Sequence, residues 1–161
     1  ELLGVEEAVG KIRAAVEARQ NPDTIIIART DEVDEDAAIA RAKLYVEAGA
    51  DLIQPLSRCF KDIGGLRRLG GACGVPLSLQ ILGWLESDLS ADDIKEVAGL
   101  ACYPLVGLMS AAKVLQDNFS ALAIDLGTKN LPQPKMSMDE FKSFIGFTEV
   151  EQQQERFLLT E

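Results

Sequence analysis

The sequence predicts an α/β fold in which strands and helices alternate along the chain. Short runs of apolar and β-branched residues recur, as is typical of strands buried on both faces of a parallel sheet. Between them lie stretches whose apolar residues repeat every three or four positions, which is the period of an amphipathic helix. The predicted strands begin about 25 residues apart, the length of one strand–helix unit with its loops.

The first elements are a helix that ends near Arg19 and a strand over residues 24–28. The apolar residues of this helix recur at helical spacing: Val5, Val9, Ile12 and Val16. The strand is a continuous apolar run that follows Asn21 and Pro22, a pair that ends helices. The next helix covers residues 34–48, and Gly49 occupies the position where glycine commonly ends a helix.

The remaining elements repeat this order. They are a strand over residues 52–56, a helix over 60–73, a strand over 75–81, a helix over 91–98 capped by Ser90, a strand over 101–106 and a long helix that ends at Gly127. Consecutive strand–helix units imply a parallel sheet with right-handed crossovers. A doubly wound sheet and a barrel both satisfy this pattern.

Glycine spacing argues against the common nucleotide-binding versions of the wound sheet, because no GxGxxG or GxxxxGK[ST] motif opens a helix. Gly64–Gly65 and Gly70–Gly71 are interpreted as helix ends or close packing. A small flavodoxin-like binding domain would need a phosphate-holding loop after the first strand. Residues 29–32 are too acidic to favour one.

The alternation of predicted strands and helices ends after Gly127. Residues 1–127 are predicted to form the strand–helix domain, and residues 128–161 a proline-containing linker followed by a helical tail. Two capping boxes predict two helix starts in this tail: Ser137 with Glu140, and Thr148 with Glu151. The apolar residues of these short helices need a partner surface, either the flank of the first domain or a neighbouring subunit.

Composition and net charge argue against several classes of function. Sixteen basic against twenty-six acidic residues give a net charge of −10, which argues against a nucleic-acid or anionic-membrane partner. The sequence lacks a signal peptide pattern, so a cytoplasmic or other soluble intracellular location is expected. The chain contains no histidine, which removes catalytic triads and histidine-ligated zinc. Its three cysteines are interpreted as reduced thiols, with Cys102 as a small core residue.

Several segments together resemble the isocitrate lyase / phosphoenolpyruvate mutase superfamily. The segments are KIRAA at residues 11–15, IIIARTD at 25–31, ARA at 40–42, EAGAD at 47–51 and YPL at 103–105. The ARTD and EAGAD pair at this spacing is fairly specific, and the resemblance runs from about Val5 to Gly127. It implies that the chain is the C-terminal half of a TIM (β/α)₈ barrel, strands five to eight, followed by C-terminal helices.

The resemblance also implies a function. Members act on small 2-oxo or 2-hydroxy dicarboxylic acids, making or breaking a carbon–carbon bond through an Mg²⁺-stabilised enolate. The ARTD arginine, here Arg29, would bind the substrate carboxylate, and Gln80 is the nearest match to a polar residue after the seventh strand. Leu56 stands where lyases of this family have glutamate. The family's metal-binding acids and catalytic loop lie on earlier strands, so no metal ligand and no catalytic residue is assigned in this chain.

Two interpretations follow for the protein. It is a carbon–carbon lyase or decarboxylase-like enzyme, inactive without an N-terminal half and expected to form homo-oligomers. Alternatively, it is a non-catalytic divergent homologue or assembly module. Arg29 itself has a purely structural alternative, an ion pair with Asp31. The acidic groups at residues 34–36 and 92–93 are interpreted as solvated helix starts.

Overall fold

A computed structural model describes residues 2–158, and the chain divides into two compact units, Glu1–Val106 and Gly107–Glu161. The elements of the first unit are α1 (Val5–Ala18), β1 (Ile27–Arg29), α2 (Glu35–Glu47), β2 (Leu52–Gln54), α3 (Ile63–Cys73), β3 (Leu77–Gln80), α4 (Trp84–Asp88), α5 (Ala91–Val97) and β4 (Ala98–Cys102). The further helices are α6 (Val106–Asp125), α7 (Met138–Phe144) and α8 (Phe147–Phe157). The domain boundary predicted after residue 127 stays a prediction.

The four strands form one parallel sheet in the order β1-β2-β3-β4. A doubly wound sheet reverses its strand order at a switch point, whereas a barrel wall keeps sequential order. Helices α1, α2, α3 and α5 pack in a row, each against the next. The predicted α/β class with a parallel sheet is therefore confirmed, and the strand order favours the barrel wall.

One face of the sheet carries the core of this unit. The register aligns Ala28, Ile53 and Leu77 on that face, and each is almost fully buried. They belong to one apolar cluster with Leu66 and Leu69 of α3. Burying such aliphatic side chains stabilises the unit by about 1.5–3 kcal/mol per residue.

The opposite face of the sheet is open at its flanks. Ile27 on β1 is 38% exposed and Leu100 on β4 is 46% exposed. The register places Arg29 of β1 and Gln80 of β3 on this same face. Both outer strands have only one paired neighbour within residues 2–158. The sheet thus presents a partly apolar surface and two free edges.

The strand boundaries differ from the sequence prediction: β2 and β3 are shorter than predicted, and β1 and β4 are shifted. β1 begins at Ile27 rather than at residue 24, because the Asp51 carboxylate accepts the Ile26 N–H at 2.8 Å beside the sheet. β4 covers Ala98–Cys102 rather than residues 101–106. The apolar run that indicated the later span contains Pro104, which has no N–H to donate to a ladder.

Further differences concern α4 and Cys102. The short helix α4 had no clear periodic signal in the sequence. Cys102 is exposed at the end of β4, so its assignment to the core was wrong. The buried thiol is Cys59, which lies in the loop between β2 and α3. Because β4 is an edge strand, its side chains have fewer neighbours than the apolar composition of the run had indicated.

In the second unit, one of the two predicted capping boxes is present. Ser137 and Glu140 cap α7 reciprocally, as predicted. The second prediction was wrong, because α8 begins at Phe147 with Gly146 in a left-handed conformation, which leaves Thr148 inside the helix. None of the helices within residues 2–158 combines the length and apolarity that a bilayer crossing requires.

Candidate functional site

The ends of the strands create the candidate site. Arg29 is the last residue of β1 and pairs in register with Gln54, the last residue of β2. Gln80 ends β3 and pairs with Cys102 at the end of β4. Carboxyl ends of parallel strands meet at one edge of the sheet, which is where barrel enzymes keep their active sites. Four polar or nucleophilic side chains are therefore brought to one edge.

A pocket of about 140 Å³ lies at this edge, and both residues singled out in the sequence line it. Arg29 and Gln80 contribute polar groups from β1 and β3, and Gln54 contributes a second amide from β2. Leu56 and Leu85 form part of an apolar wall. The pocket thus combines one cationic group with two amides against hydrocarbon, an arrangement suited to a small anion.

The guanidinium of Arg29 is oriented by a neighbouring carboxylate. Its Nε donates to Oδ1 of Asp31 at 2.6 Å, and the two side chains are about half exposed. The structural alternative from the sequence is therefore present as an ion pair. Within residues 2–158 neither terminal nitrogen of Arg29 has a hydrogen-bond partner, so the paired Nη1 and Nη2 edge stays available to a ligand.

Gln54 was missed in the sequence. It precedes Pro55 at the end of an apolar run, and its equivalence to Arg29 became visible only from the register of β1 and β2. The backbone supports that equivalence, because the Thr30 N–H donates to the Gln54 carbonyl at 3.4 Å. The signal that could have found it is a polar residue closing a buried strand, the same signal that identified Gln80.

The loop that carries Leu56 and Ser57 is held by α4. Nε1 of Trp84 donates to the Ser57 carbonyl at 2.6 Å, and Gly83 enters the helix with a φ of 59°. Cys59 lies in the same loop, where burial is the main reason that its thiol pKa is raised to about 11. Cys59 is therefore an inert packing residue, since only the thiolate is nucleophilic.

The acidic residues do not form a metal site. No group of three or more Asp, Glu, Cys or His side chains suited to a metal ion occurs within residues 2–158. Asp34 caps α2 and Glu35 pairs with Arg68. Ser90 caps α5 and lowers the pKa of Asp93 through hydrogen bonds. These acids have helix-start roles, and the residues described do not fit a Mg²⁺ site.

Comparisons with known proteins show to which family the chain is similar. The sequence model of the family described as phosphoenolpyruvate phosphomutase matches residues 1–102. The chain is 29% identical to the 2-methylisocitrate lyase of Escherichia coli K12, covering 94% of the chain and 52% of that enzyme. It is 34% identical to an oxaloacetate decarboxylase of Pseudomonas aeruginosa LESB58, covering 89% and 52%. The chain thus spans about half the length of the curated relatives it matches.

Solved structures agree with the fold. The crystal structure of phosphonopyruvate hydrolase superposes with a TM-score of 0.83 at 27% identity, over 99% of this chain and 58% of that one. A second structure of that name is a complex with oxalate and Mg²⁺, again with a TM-score of 0.83. The sequential parallel sheet, the resemblance seen in the ARTD and EAGAD segments and these matches lead to one conclusion: the chain belongs to the phosphoenolpyruvate phosphomutase family, within the isocitrate lyase / phosphoenolpyruvate mutase superfamily.

Proposed function

We propose that this chain is the C-terminal half of a barrel enzyme that makes or breaks a carbon–carbon bond in a small 2-oxo or 2-hydroxy dicarboxylic acid. In this proposal the chain binds the substrate and is inactive alone. The observation that carries it is the pocket at the strand ends, which joins Arg29 and Gln80. The names of the relatives, 2-methylisocitrate lyase, 2,3-dimethylmalate lyase and oxaloacetate decarboxylase, support the substrate class.

Arg29 is assigned the role of binding a substrate carboxylate. Asp31 occupies its Nε, and the Nη1 and Nη2 edge then presents two parallel donors to a carboxylate. Gln80 is assigned a second hydrogen bond through its side-chain amide. Leu56 adds an apolar wall that limits water around the ion pair, which strengthens the interaction. These groups bind and orient a substrate, and none of them is assigned a proton-transfer step.

The other half of the barrel is proposed to supply the missing chemistry. The open sheet face and the two free edges of β1 and β4 support a covering partner. A complete TIM barrel typically takes about 250 residues. In this proposal, Mg²⁺ and the acid/base group are held outside this chain. A parent reading frame with about 100 or more additional residues, bearing Asp and Glu at strand ends, would support this arrangement.

We also propose that the complete protein is a homo-oligomer. The second unit supports this, because Phe144 is 73% exposed and Phe157 is 69% exposed on its short helices. Large aromatic side chains of this kind usually have a covering surface in the working protein. Sedimentation of the complete protein tests the idea, and a monomer at all concentrations contradicts it.

Oxalate binding tests the substrate assignment directly. Calorimetric titration of the 161-residue chain with oxalate compares the wild type with Arg29→Ala. A lost hydrogen bond to a charged group is worth about 1.5–3 kcal/mol, so the affinity should fall roughly 10- to 150-fold. Arg13→Ala is the matched control, since Arg13 is an exposed arginine on α1, outside the pocket.

The result also separates the alternatives. Equal affinities of wild type and Arg29→Ala would remove Arg29 from the site and favour the non-catalytic alternative for this chain. In the complete enzyme, the same substitution should lower kcat/KM by a similar factor. An unchanged kcat/KM there contradicts the assignment.

A further inference from the structure

A second pocket lies on the helix side of β1. It has a volume of about 260 Å³ and is bordered by the residues that precede α1, by the end of β1 and by α2. The side chains from α2 are Arg41 and Tyr45, and Thr30 follows β1. Thr30 and Ala28 lie on the buried face of the sheet, opposite the face that carries Arg29. Arg29 borders both this pocket and the strand-end pocket that contains Gln80, but Thr30, Arg41 and Tyr45 line only this one.

Arg41 is a buried cation with neutral partners. It is only 8% exposed, its Nη2 donates to the Leu3 carbonyl at 2.8 Å, and its Nε donates to the Tyr45 hydroxyl at 3.1 Å. The guanidinium also lies 5.8 Å from the centre of the Tyr45 ring. Within residues 2–158 no carboxylate lies within 4.0 Å of it. A buried charge without a counter-charge is strongly unfavourable.

Thr30 adds an available donor to the same pocket. It is 2% exposed, and its Oγ1 accepts the Glu32 N–H at 3.2 Å. Within residues 2–158 the hydroxyl proton has no acceptor, although buried hydroxyls normally donate as well as accept. A ligand oxygen in the pocket would complete the hydrogen bonding of this group.

The start of α1 borders the same pocket. This helix has 14 residues, its N-cap is Gly4, and no side chain caps it. Ala8, one turn into the helix, lines the pocket. The N-terminus of a helix favours negative charge, and Glu6 and Glu7 in the first turn already supply part of that charge. The attraction of the pocket for an anion therefore rests on Arg41 and Thr30.

The charges that line the pocket identify the class of anion. Asp31 and Arg29 both line it and neutralise each other as an ion pair, which leaves the single positive charge of Arg41. A carboxylate carries one negative charge and matches it. A phosphate monoester carries about −1.5 to −2 at neutral pH and would leave excess negative charge buried.

We propose that this pocket binds a small free carboxylic acid, as its carboxylate, between the guanidinium of Arg41 and the hydroxyl of Thr30. The site neutralises Arg41 and links the segment before α1 to α2 and to the end of β1. The proposal does not depend on the function proposed for the pocket that contains Gln80.

Acetate is the probe for this site. The ¹⁵N-labelled chain is titrated with sodium acetate at constant ionic strength, with sodium chloride as the blank, and amide shifts of Thr30 and Tyr45 are followed. We expect saturating shifts with acetate and none with chloride. Arg41→Met should abolish binding, and Thr30→Val should weaken it about tenfold, since it removes a hydrogen bond to a charged group. Gln80→Leu should leave the acetate-induced shift of Tyr45 unchanged, since Tyr45 does not line the pocket that contains Gln80.

Each other outcome overturns the proposal. If Arg41→Met fails to fold, Thr30→Val decides, and wild-type affinity in that variant contradicts the site. Loss of the Tyr45 shift in Gln80→Leu would place acetate at the strand ends instead. A blocked Ala-Glu-Ala peptide tests a carboxylate carried by a protein, and binding of the peptide without binding of acetate rejects the free acid as the ligand.

Discussion

Gly49 ends α2 in a conformation that side-chain-bearing residues avoid, so Gly49→Ala tests how closely α2 is set against α1. Its φ is 103°, and its N–H donates to the Val46 carbonyl at 2.9 Å. A Cβ added there would lie 2.9 Å from Cγ2 and 3.3 Å from Cγ1 of Val16 on α1. Alanine at this position therefore has an unfavourable backbone and a steric overlap at once.

The expected loss of stability combines these effects. A positive φ costs about 1–2 kcal/mol for a residue with a Cβ. Crowding in a packed interface costs about 1–3 kcal/mol, because Val16 or α1 must shift. The reduced freedom of the unfolded chain offsets about 0.4–1 kcal/mol. The net destabilisation should be about 1–5 kcal/mol.

Gly71→Ala is the matched control. Gly71 lies inside α3, and a Cβ added there has no neighbour within 4 Å. The same chemical change should stabilise the chain by about 0.5–1 kcal/mol, since alanine favours the helix interior. The two substitutions are therefore expected to have opposite signs.

Urea unfolding followed by tryptophan fluorescence measures both variants, because Trp84, the single tryptophan of the chain, lies in the first unit. With a slope of about 1–3 kcal/mol/M, Gly49→Ala should lower the midpoint visibly. Adding Val16→Ala should reduce the loss caused by Gly49→Ala, since it removes the overlapping methyls. An unchanged midpoint in Gly49→Ala, or an equal loss in Gly71→Ala, would refute the argument.

Three further predictions concern reactivity, pH and packing. Iodoacetamide should modify exposed Cys102 quickly and buried Cys59 only after unfolding, because burial raises the Cys59 pKa to about 11. Mass spectrometry at early time points shows which cysteine is modified first. A hydrogen bond from Arg67 lowers the pKa of Glu96. The ionised Glu96 carboxylate therefore stabilises the folded chain above the ordinary pKa of 4.5, and this contribution is lost as the pH falls through the lowered pKa. The urea midpoint should fall as the pH is lowered below 4.5, and Glu96→Gln should flatten the fall; a rising midpoint contradicts it. Phe60→Ala should destabilise the chain by about 3–5 kcal/mol in the same assay, because Phe60 is fully buried, and a loss under about 1 kcal/mol contradicts its core role.

Element order was predictable because it depends on local patterns. The helix stop at Gly49 and the capping box of Ser137 with Glu140 depend on a few neighbouring residues, and both are present in the structure. The prediction of a capping box at Thr148 and Glu151 was wrong, and the reason is also local. Gly146, two residues before Thr148, takes a left-handed conformation and is the N-cap of α8. Where two local signals compete, the sequence pattern does not rank them.

Strand limits were less predictable, because pairing sets them. The run at residues 24–28 begins three residues before β1, and there the Asp51 carboxylate accepts the Ile26 N–H. β4 begins at Ala98 because the strand pairs there with Leu77. Gly99 fits so closely over Pro76 that an added Cβ would lie 2.9 Å from it. Such contacts join residues more than 20 positions apart, which periodicity cannot report.

The candidate site was likewise predictable only in part. Arg29 and Gln80 could be singled out from the sequence, since each closes an apolar run and Arg29 lies in the ARTD segment. Their meeting in one pocket with Gln54 depends on the register of three strands. The role of either residue in substrate binding stays a prediction that oxalate titration can test.

The amino-acid sequence by itself determined the alternation of strands and helices and the superfamily, and it singled out Arg29 and Gln80 as candidates for binding an acid. These follow from spacing and residue type, which are written along the chain. Only the tertiary structure decided the sequential order of the sheet, the exposure of Cys102 and the neutral surroundings of Arg41. The physical reason is that burial and pairing depend on which distant residues meet, and a buried charge is recognised only when all of its neighbours are known.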